Sequence, residues 1–262
     1  MTILIRLSLS WLLLMAIAMV DSRFYWSNNA KVFAQSLPTE NLVLPGDLTN
    51  NLFDLCQSAT VRVVKVDSAG SGVIISRHGN TYSVLTNWHV VDSSNPLILT
   101  VDDEQHQLVG TPQQLGNLDL ALLQFTSDVE YPVAPLATSI PQVGDTVYAA
   151  GFPLEISQTS SLSWGNDAFR LTQGHVSIVP TKSLPQGYQL GYTNDTAIGM
   201  SGSPIFNTEG SLVAIHGRGK YRDPGFGVYI FEDGSEPPPE QLEQMIKSSW
   251  GIPLSTYAEL LN

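Results

Sequence analysis

Short runs of alternating apolar and polar residues, separated by turn residues about every ten positions, dominate the chain from residue 61 onward. The runs GSGVIIS and TYSVLTNWHVV flank the turn HGN, so residues 72–75 and 82–86 are predicted to pair as a hairpin. Segments with a period of two are typical of half-buried β-strands. The sequence therefore predicts an all-β domain, with further strands at VRVVKV, LILTV, LDLALLQF, DTVYAAGF, HVSIVP, YQLGYT, SPIFN, SLVAIHG and FGVYIF.

Two segments depart from the strand pattern and predict helices. Leu48–Cys56 is a short helix candidate, and Pro238–Trp250 has Pro near its start followed by good helix formers. The Pro-containing, weakly periodic stretch 127–139 is the predicted break between two β-barrels. The resulting division is a targeting segment at 1–34, a lead-in at 35–50, a first barrel at 51–130, a second barrel at 131–232 and a helical tail at 233–262.

The N-terminus has the pattern of an export signal. Arg6 precedes the largely apolar run Leu7–Val20, and Asp21 closes it. A helix of this length spans about 21 Å, which is shorter than the roughly 30 Å hydrocarbon core of a bilayer. We therefore predict a signal peptide cleaved after Ala34, with an uncleaved membrane anchor as the alternative. In either case the folded part of the chain is predicted to be exported, and so periplasmic or extracellular.

Composition and charge narrow the function classes. A chain with 43% hydrophobic and 14% charged residues, 21 Gly and 16 Pro suits many short strands joined by tight turns. The formal net charge of -12 disfavours nucleic acid as a partner, because phosphates require surfaces rich in Lys and Arg. The single cysteine, Cys56, cannot form an intrachain disulfide, and its apolar surroundings predict a buried residue rather than a nucleophile.

Three polar residues stand in contexts that suggest chemistry. In TNWHVVDS, His89 follows a predicted strand at the rim of the first barrel. Asp119 interrupts the apolar strand of LGNLDLALLQF, so its carboxylate either faces solvent or is buried against a specific partner. Ser201 in DTAIGMSGSPIF is bracketed by Gly199 and Gly202, which permit a tight loop with amides aimed at one point. Taken singly, each of the three residues also suits a structural role.

Together the three residues predict a catalytic triad. The chain order His89, Asp119, Ser201, with separations of 30 and 82 residues, differs from the subtilisin and α/β-hydrolase orders and matches the chymotrypsin type. With GSGVII upstream, the motifs TNWHVV, NLDLALLQF and GMSGSP resemble those of trypsin-like serine proteases over residues 55–231. The resemblance implies an all-β, chymotrypsin-like fold of two six-stranded antiparallel β-barrels, with the active site between them. A short C-terminal helix is predicted to follow the second barrel.

The resemblance also implies a role for each residue. Ser201 would attack the scissile carbonyl, His89 would take and return the proton, and Asp119 would orient the imidazole. The amides of Gly199 and Ser201 would form the oxyanion hole. Met200 stands where trypsin carries the Asp that pairs with a newly cut N-terminus. The pattern GxSGSP is therefore more similar to bacterial glutamyl endopeptidases and to Deg-type periplasmic proteases.

Three residues give conflicting indications about the side chain accepted before the cut. Asp195, six residues before Ser201, lies where trypsin carries the carboxylate that binds Arg or Lys. Glutamyl endopeptidases instead bind a substrate carboxylate with Thr or Ser five residues before the nucleophile and His fifteen after it. Thr196 and His216 occupy these positions, with Arg218 nearby as reinforcement. We predict an acidic preference, with a basic or a small apolar preference as alternatives.

No cofactor and no metal is predicted for this chain. No pair of His has a spacing such as HExxH, and the acidic residues are too scattered for an EF-hand loop. The predicted partners are polypeptide substrates, without nucleic acid, and with a membrane only through residues 1–34 if the signal stays uncleaved. The chain is predicted to be a monomer. The rival class is a protease-like binding module without activity, which the intact triad disfavours.

Overall fold

The computed structural model describes residues 46–66, 68–92, 95–154, 169–223 and 227–259. Contacts divide the chain into residues 1–45 and 46–262, and all described residues belong to the second unit. The predicted targeting segment 1–34 and its cleavage after Ala34 therefore lie outside the described residues. Among the helices that are described, none combines the length and the apolar character needed to cross a membrane.

The first half of the folded unit is a seven-stranded antiparallel sheet with two helices. Helix α1 (Gly46–Ala59) confirms the predicted Leu48–Cys56 helix and is longer at both ends, and α2 (Trp88–Val91) is a single turn. The strands are β1 (Thr60–Val64), β2 (Ala69–His78), β3 (Thr81–Thr86), β4 (Leu97–Leu99), β5 (Gln105–His106), β6 (Gln113–Gln114) and β7 (Ala121–Thr126). They lie in the order β5-β4-β1-β2-β3-β7-β6.

The second half is a closed barrel of six strands followed by the C-terminus. Its strands are β8 (Thr146–Gly151), β9 (Arg170–Ile178), β10 (Leu190–Tyr192), β11 (Pro204–Phe206), β12 (Leu212–Arg218) and β13 (Ser249–Pro253). They close in the order β10-β13-β12-β11-β8-β9. A 3-10 turn at Pro185–Gly187 precedes β10, helix α3 (Pro239–Ile246) precedes β13, and α4 (Leu254–Glu259) follows it.

Alternation along the chain accounts for these strands. In β7 the side chains of Leu123 and Phe125 are buried, whereas Gln124 between them is exposed. The predicted hairpin is confirmed, because β2 and β3 pair antiparallel with Ile74 opposite Val84. The buried side chains of these strands form the apolar core of the first half. The two-residue period of apolar positions thus predicts both where a strand forms and which of its faces is buried.

The predicted fold class is confirmed, with a difference in how the first half closes. The second half is the closed six-stranded barrel, whereas the first half is an open half-barrel of seven strands. Strands β5 and β6 at its edges have two residues each, so they offer few backbone groups for further pairing. One isolated bridge, between Leu108 and Phe125, joins the segment after β5 to β7.

The C-terminal region differs from the predicted helical tail. Helix α3 ends at Ile246, and residues 249–250, which the sequence assigns to the same helix, begin β13. Strand β13 pairs with β10 on one side and β12 on the other, and Trp250 in it is fully buried. This burial outweighs the local helix preference. The predicted strand FGVYIF is also wrong, because residues 227–231 form turns, with Tyr229 packed against Trp250.

Candidate active site

His89 lies on α2, directly after β3. Asn87 precedes the helix in an extended conformation, and its Nδ2 donates to the main-chain carbonyl of Asp119 at 2.9 Å. The backbone N–H of His89 donates to Asp119 Oδ1, also at 2.9 Å. These two bonds join α2 to the segment before β7. The local backbone therefore holds the imidazole of His89 beside the carboxylate of Asp119.

The carboxylate of Asp119 is buried and accepts three hydrogen bonds. The residue is 3% exposed. Oδ2 accepts from His89 Nδ1 at 2.6 Å and from the hydroxyl of Tyr188, and Oδ1 accepts from the His89 backbone. Burial alone would raise the pKa of Asp119, but the hydrogen bonds and charge of His89, with the Tyr188 hydroxyl, outweigh it and lower the pKa below its ordinary value. Asp119 is therefore an ionised acceptor at neutral pH.

An ionised acceptor at Nδ1 determines the tautomer of His89. With the proton on Nδ1, the second ring nitrogen, Nε2, is left as a hydrogen-bond acceptor. The His89 side chain is 47% exposed, in contrast to 4% for Asp119. A histidine held in this way, with its side chain half exposed, has the arrangement that a general base requires.

The loop that carries Ser201 is bound to the first sheet through Ser71. The N–H of Ser71 donates to the carbonyl of Ser201 at 2.7 Å, and its Oγ donates to the carbonyl of Gly199 at 3.1 Å. Gly202 has a φ of +86°, and a Cβ there would overlap the carbonyl oxygen of Ser71 and the hydroxyl of Thr86. Glycine at this position therefore allows the loop to lie directly on β2.

Two backbone amides of this loop have no acceptor within the described residues, namely those of Gly199 and Ser201. The three other amides between positions 199 and 203 donate to backbone carbonyls: Met200 to Ala197, Gly202 to His216 and Ser203 to Met200. The carbonyl of Ile198 accepts from the N–H of Leu154 at 2.7 Å, so the trans peptide directs the Gly199 N–H the opposite way. The two amides predicted for the oxyanion hole are therefore the two that remain available.

One cavity of about 460 Å³ brings His89 and Ser201 together between the two halves of the fold. In the described part of the chain, no hydrogen bond of 3.5 Å or less joins Ser201 Oγ to the imidazole. Catalytic hydrogen bonds of this kind often tighten only when substrate is bound. The structure thus places His89 and Ser201 at one cavity. Asp119, in direct contact with His89, lines a neighbouring cavity that His89 also lines.

Asp195, one of the residues predicted for the specificity pocket, lies outside this cavity. Its side chain is 69% exposed, and its carboxylate forms an ion pair with Lys220 at 2.5 Å. A carboxylate that faces solvent and is already paired is poorly placed to bind an Arg or Lys side chain of a substrate. Among the described residues, the Lys and Arg side chains that line the cavity near Ser201 are those of Lys65 and Arg222.

Thr196 and His216 line the same cavity as Ser201. His216 is 3% exposed, and its Nδ1 lies 2.6 Å from the hydroxyl of Tyr192. Burial, followed by the positive charge of His89, lowers the pKa of His216 to about 3. His216 is therefore neutral at neutral pH, and it offers the cavity a hydrogen-bonding ring rather than a charge.

Two residues that contact the proposed triad were not identified from the sequence, Ser71 and Tyr188. The sequence did contain a sign of Ser71, which is a polar residue inside the apolar strand GSGVII, and the structure shows that it is fully buried. It contained no sign of Tyr188, because in YQLGYT that residue is indistinguishable from Tyr192, another buried aromatic. Arg218, predicted to reinforce the pocket, instead stacks on the ring of Tyr188 at 4.0 Å and lines a neighbouring cavity of about 450 Å³.

The prediction that Cys56 is a buried residue is confirmed. It is fully buried, and burial raises the pKa of its thiol to about 12, so the group stays protonated and is a poor nucleophile. Within the described ranges, no group of three or more His, Cys, Asp or Glu side chains is arranged to hold a metal ion.

Comparison with known proteins gives a family and several relatives. A family model described as the trypsin-like peptidase domain matches residues 70–215. The chain is similar to the serine endoprotease DegS of Escherichia coli, with 30% identity over 160 residues that cover 58% of this chain and 40% of that protein. It is also similar to a probable periplasmic serine endoprotease, DegP-like, of Hahella chejuensis, with 33% identity over 169 residues, 62% of this chain and 32% of that protein. The chain thus spans less than half of the length of these relatives, and the predicted resemblance to Deg-type proteases is confirmed.

A solved structure, the serine endoprotease from Yersinia pestis, shares the fold with a TM-score of 0.55. It is 22% identical in sequence, and the match covers 82% of this chain and 65% of that chain. At this identity the likeness concerns the fold alone, and that fold is chymotrypsin-like.

Proposed function

Because the chain belongs to the trypsin-like peptidase family, we propose that it is a serine endopeptidase with Ser201 as nucleophile, His89 as general base and Asp119 as the orienting carboxylate. One observation carries the proposal. The buried, ionised carboxylate of Asp119 lies 2.6 Å from His89 Nδ1, at a cleft that His89 shares with Ser201. His89 thereby connects the orienting carboxylate to the cavity that Ser201 and Gly199 line.

Peptide hydrolysis would proceed through an acyl-enzyme. Ser201 Oγ attacks the carbonyl carbon while its proton passes to His89 Nε2, and Asp119 stabilises the imidazolium that forms. The free amides of Gly199 and Ser201 donate to the oxyanion. Collapse of the tetrahedral intermediate breaks the C–N bond, and the leaving amine takes the proton from His89. Water then hydrolyses the ester by the same route and restores Ser201.

Treatment of the full-length chain with a fluorophosphonate should add one inhibitor group, detected as a mass increase of the intact protein. The reagent reacts with a serine that an adjacent base has activated. Ser201→Ala should abolish the adduct. Ser68→Ala is the matched control, because Ser68 lines the same cavity without a part in the proposed triad, and it should keep the adduct.

The two outcomes of this experiment separate the function classes. An adduct on wild type and on Ser68→Ala, but not on Ser201→Ala, would support a working protease with Ser201 as nucleophile. Absence of an adduct on well-folded wild-type protein would contradict the proposal and favour a binding module of the same fold.

We further propose that the enzyme prefers substrates with Glu or Asp immediately before the scissile bond. Of the residues that the structure describes around the cavity beside Ser201, Lys65 and Arg222 are cations and none is a carboxylate. The hydroxyl of Thr196 and the ring of His216 add hydrogen-bonding groups to the same wall. With the pKa of His216 lowered to about 3, the imidazole would bind a carboxylate through an N–H, and the positive charge would come from the two cations.

Peptides that differ only in the residue before the cut, Glu, Gln, Lys or Leu, should reveal this preference. We expect kcat/KM to be about tenfold higher for Glu than for Gln, the size of one charge-assisted hydrogen bond. Thr196→Val should reduce the Glu-to-Gln ratio, and Thr193→Val, at an exposed position outside the cavity, should not. A higher kcat/KM for Lys or Leu than for Glu would refute the acidic preference and leave the protease proposal intact.

The proposed setting of this activity is outside the cytoplasm. One relative is described as periplasmic, and residues 1–34 have the pattern of an export signal. We therefore propose that the chain is exported and that it cleaves polypeptides as a monomer.

A further inference from the structure

The hydroxyl of Tyr188 reaches the carboxylate of Asp119 from the other half of the fold. Tyr188 lies between the Pro185–Gly187 turn and β10, 69 residues after Asp119 in the chain, yet its O–H donates to Asp119 Oδ2. The same oxygen accepts from His89 Nδ1 at 2.6 Å. One carboxylate oxygen is therefore shared by a donor on α2, in the first half, and a donor from the second half.

The side chain of Tyr188 is held in this position by its neighbours. It is fully buried. The guanidinium of Arg218 lies 4.0 Å from the ring centroid and donates to the carbonyl of Pro185 and the side chain of Gln186, both at 3.3 Å. Gly217 leaves the space that the phenol occupies, because a Cβ there would overlap the hydroxyl of Tyr188. The hydroxyl is thus oriented before any substrate binds.

A backbone hydrogen bond joins the same turn to Asp119. The N–H of Asp119 donates to the carbonyl of Gln186 at 3.1 Å. Gln186 and Gly187 have φ values of +70° and +88°, and Leu118 fills the space in which a Cβ of Gly187 would lie. A non-glycine residue in the left-handed region is uncommon and persists where surrounding contacts require it. The turn therefore contacts both the backbone and, through Tyr188, the side chain of Asp119.

We propose that Tyr188 is a positioning residue, whose hydroxyl holds the Asp119 carboxylate in the orientation that aligns His89. The inference rests on the proposed serine-protease function of this site. The two other donors to the carboxylate that the structure describes are the backbone N–H and the imidazole of His89. Without the hydroxyl, Oδ2 would be restrained by the imidazole alone, the group that it has to orient. Burial, together with the negative charge of Asp119, raises the pKa of Tyr188 well above its ordinary value, so the phenol remains a donor.

Tyr188→Phe tests the inference, because it removes the hydroxyl and keeps the ring beneath Arg218. Active sites are counted by fluorophosphonate labelling, so that kcat refers to competent molecules only. We expect kcat per labelled site to fall about tenfold, with KM changed by less than about twofold, because the hydroxyl acts on Asp119 and not on the scissile bond.

The pH dependence of kcat/KM distinguishes positioning from structural support. The Tyr188 hydrogen bond is one of the contacts that lower the pKa of Asp119, so its loss leaves a carboxylate that attracts the imidazolium proton of His89 more strongly. The acid limb of the profile should therefore move to higher pH in Tyr188→Phe. Within the part of the chain that is described, the charged and titratable groups that face the carboxylate are His89 and Tyr188, with Arg218 behind the phenol ring. Arg218 is unchanged in this variant.

Tyr131→Phe is the matched control. Tyr131 is also buried, and its hydroxyl donates to another carboxylate, that of Asp102, at 3.0 Å, outside both cavities of the site. It should retain the wild-type kcat and acid limb. Wild-type kcat per labelled site together with an unmoved acid limb in Tyr188→Phe, even with fewer labelled sites, would overturn the positioning role and leave the protease proposal standing. Absence of labelling in wild type would overturn both.

Discussion

Replacing Asp119 by Asn should lower kcat for peptide hydrolysis by about four orders of magnitude, without unfolding the protein. The carboxylate accepts three hydrogen bonds, whereas an amide offers one acceptor oxygen and an NH₂ donor. With the amide nitrogen facing His89 Nδ1, the imidazole must carry its proton on Nε2. In that tautomer it cannot take the proton of Ser201. Steady-state kinetics on a peptide substrate measures the effect.

The matched control for this variant is Asp102→Asn. Asp102 also accepts a hydrogen bond from a buried tyrosine, Tyr131, but lies outside the site. It should keep the wild-type kcat. Thermal unfolding of both variants would show that each is folded. A kcat of Asp119→Asn within about tenfold of wild type would mean that Asp119 is not the orienting carboxylate.

Trp250→Ala should lower the free energy of unfolding by about 3–5 kcal/mol, the usual cost of truncating a large buried aromatic side chain. The Trp250 side chain is fully buried, its Nε1 donates to the carbonyl of Met245 at 3.1 Å, and its ring packs near Tyr229. The residue lies on β13, which completes the second barrel. For a domain of this size we expect Tm to fall by roughly 10 °C, measured by circular dichroism.

Tyr221→Ala is the control for this stability prediction. Tyr221 is an aromatic residue of the same half of the chain, but it is 70% exposed. Its truncation should change the free energy of unfolding by less than about 0.5 kcal/mol. If Trp250→Ala cost no more than this control, β13 would not be the strand that holds the barrel closed.

Most of the strands were accessible from the sequence because their signals are local. The hairpin of β2 and β3 is predicted by two runs of alternating apolar and polar residues on either side of the turn HGN. In the structure these strands pair antiparallel, with Ile74 opposite Val84. Gly199 and Gly202 around Ser201 indicate a tight loop without reference to any other part of the chain. For Asp119 within an apolar segment, the sequence left open a solvent-facing carboxylate or one buried against a partner. The structure shows that it is buried against His89 and Tyr188.

In the region after residue 233, the local sequence pattern predicted a helix where the structure has a strand. Residues 240–246 are good helix formers, and nothing in the next few positions marks the change to a strand. Strand β13 forms because its backbone pairs with β10 and β12 and because Trp250 is buried there. Asp195 is a similar case, since its pairing with Lys220 outside the cavity depends on how the two side chains meet in space.

The sequence by itself determined the all-β class and the position of most strands, because periodicity is a property of a few consecutive residues. It also indicated the three residues of the proposed triad, through their order in the chain and the motifs around them. Only the tertiary structure decided that β13 closes the second barrel, that Thr196 and His216 but not Asp195 line the cavity beside Ser201, and that Tyr188 donates to Asp119. Each of these depends on contacts between residues far apart in the chain, and such contacts are selected by the burial of whole strands and by the pairing of buried polar groups rather than by local pattern.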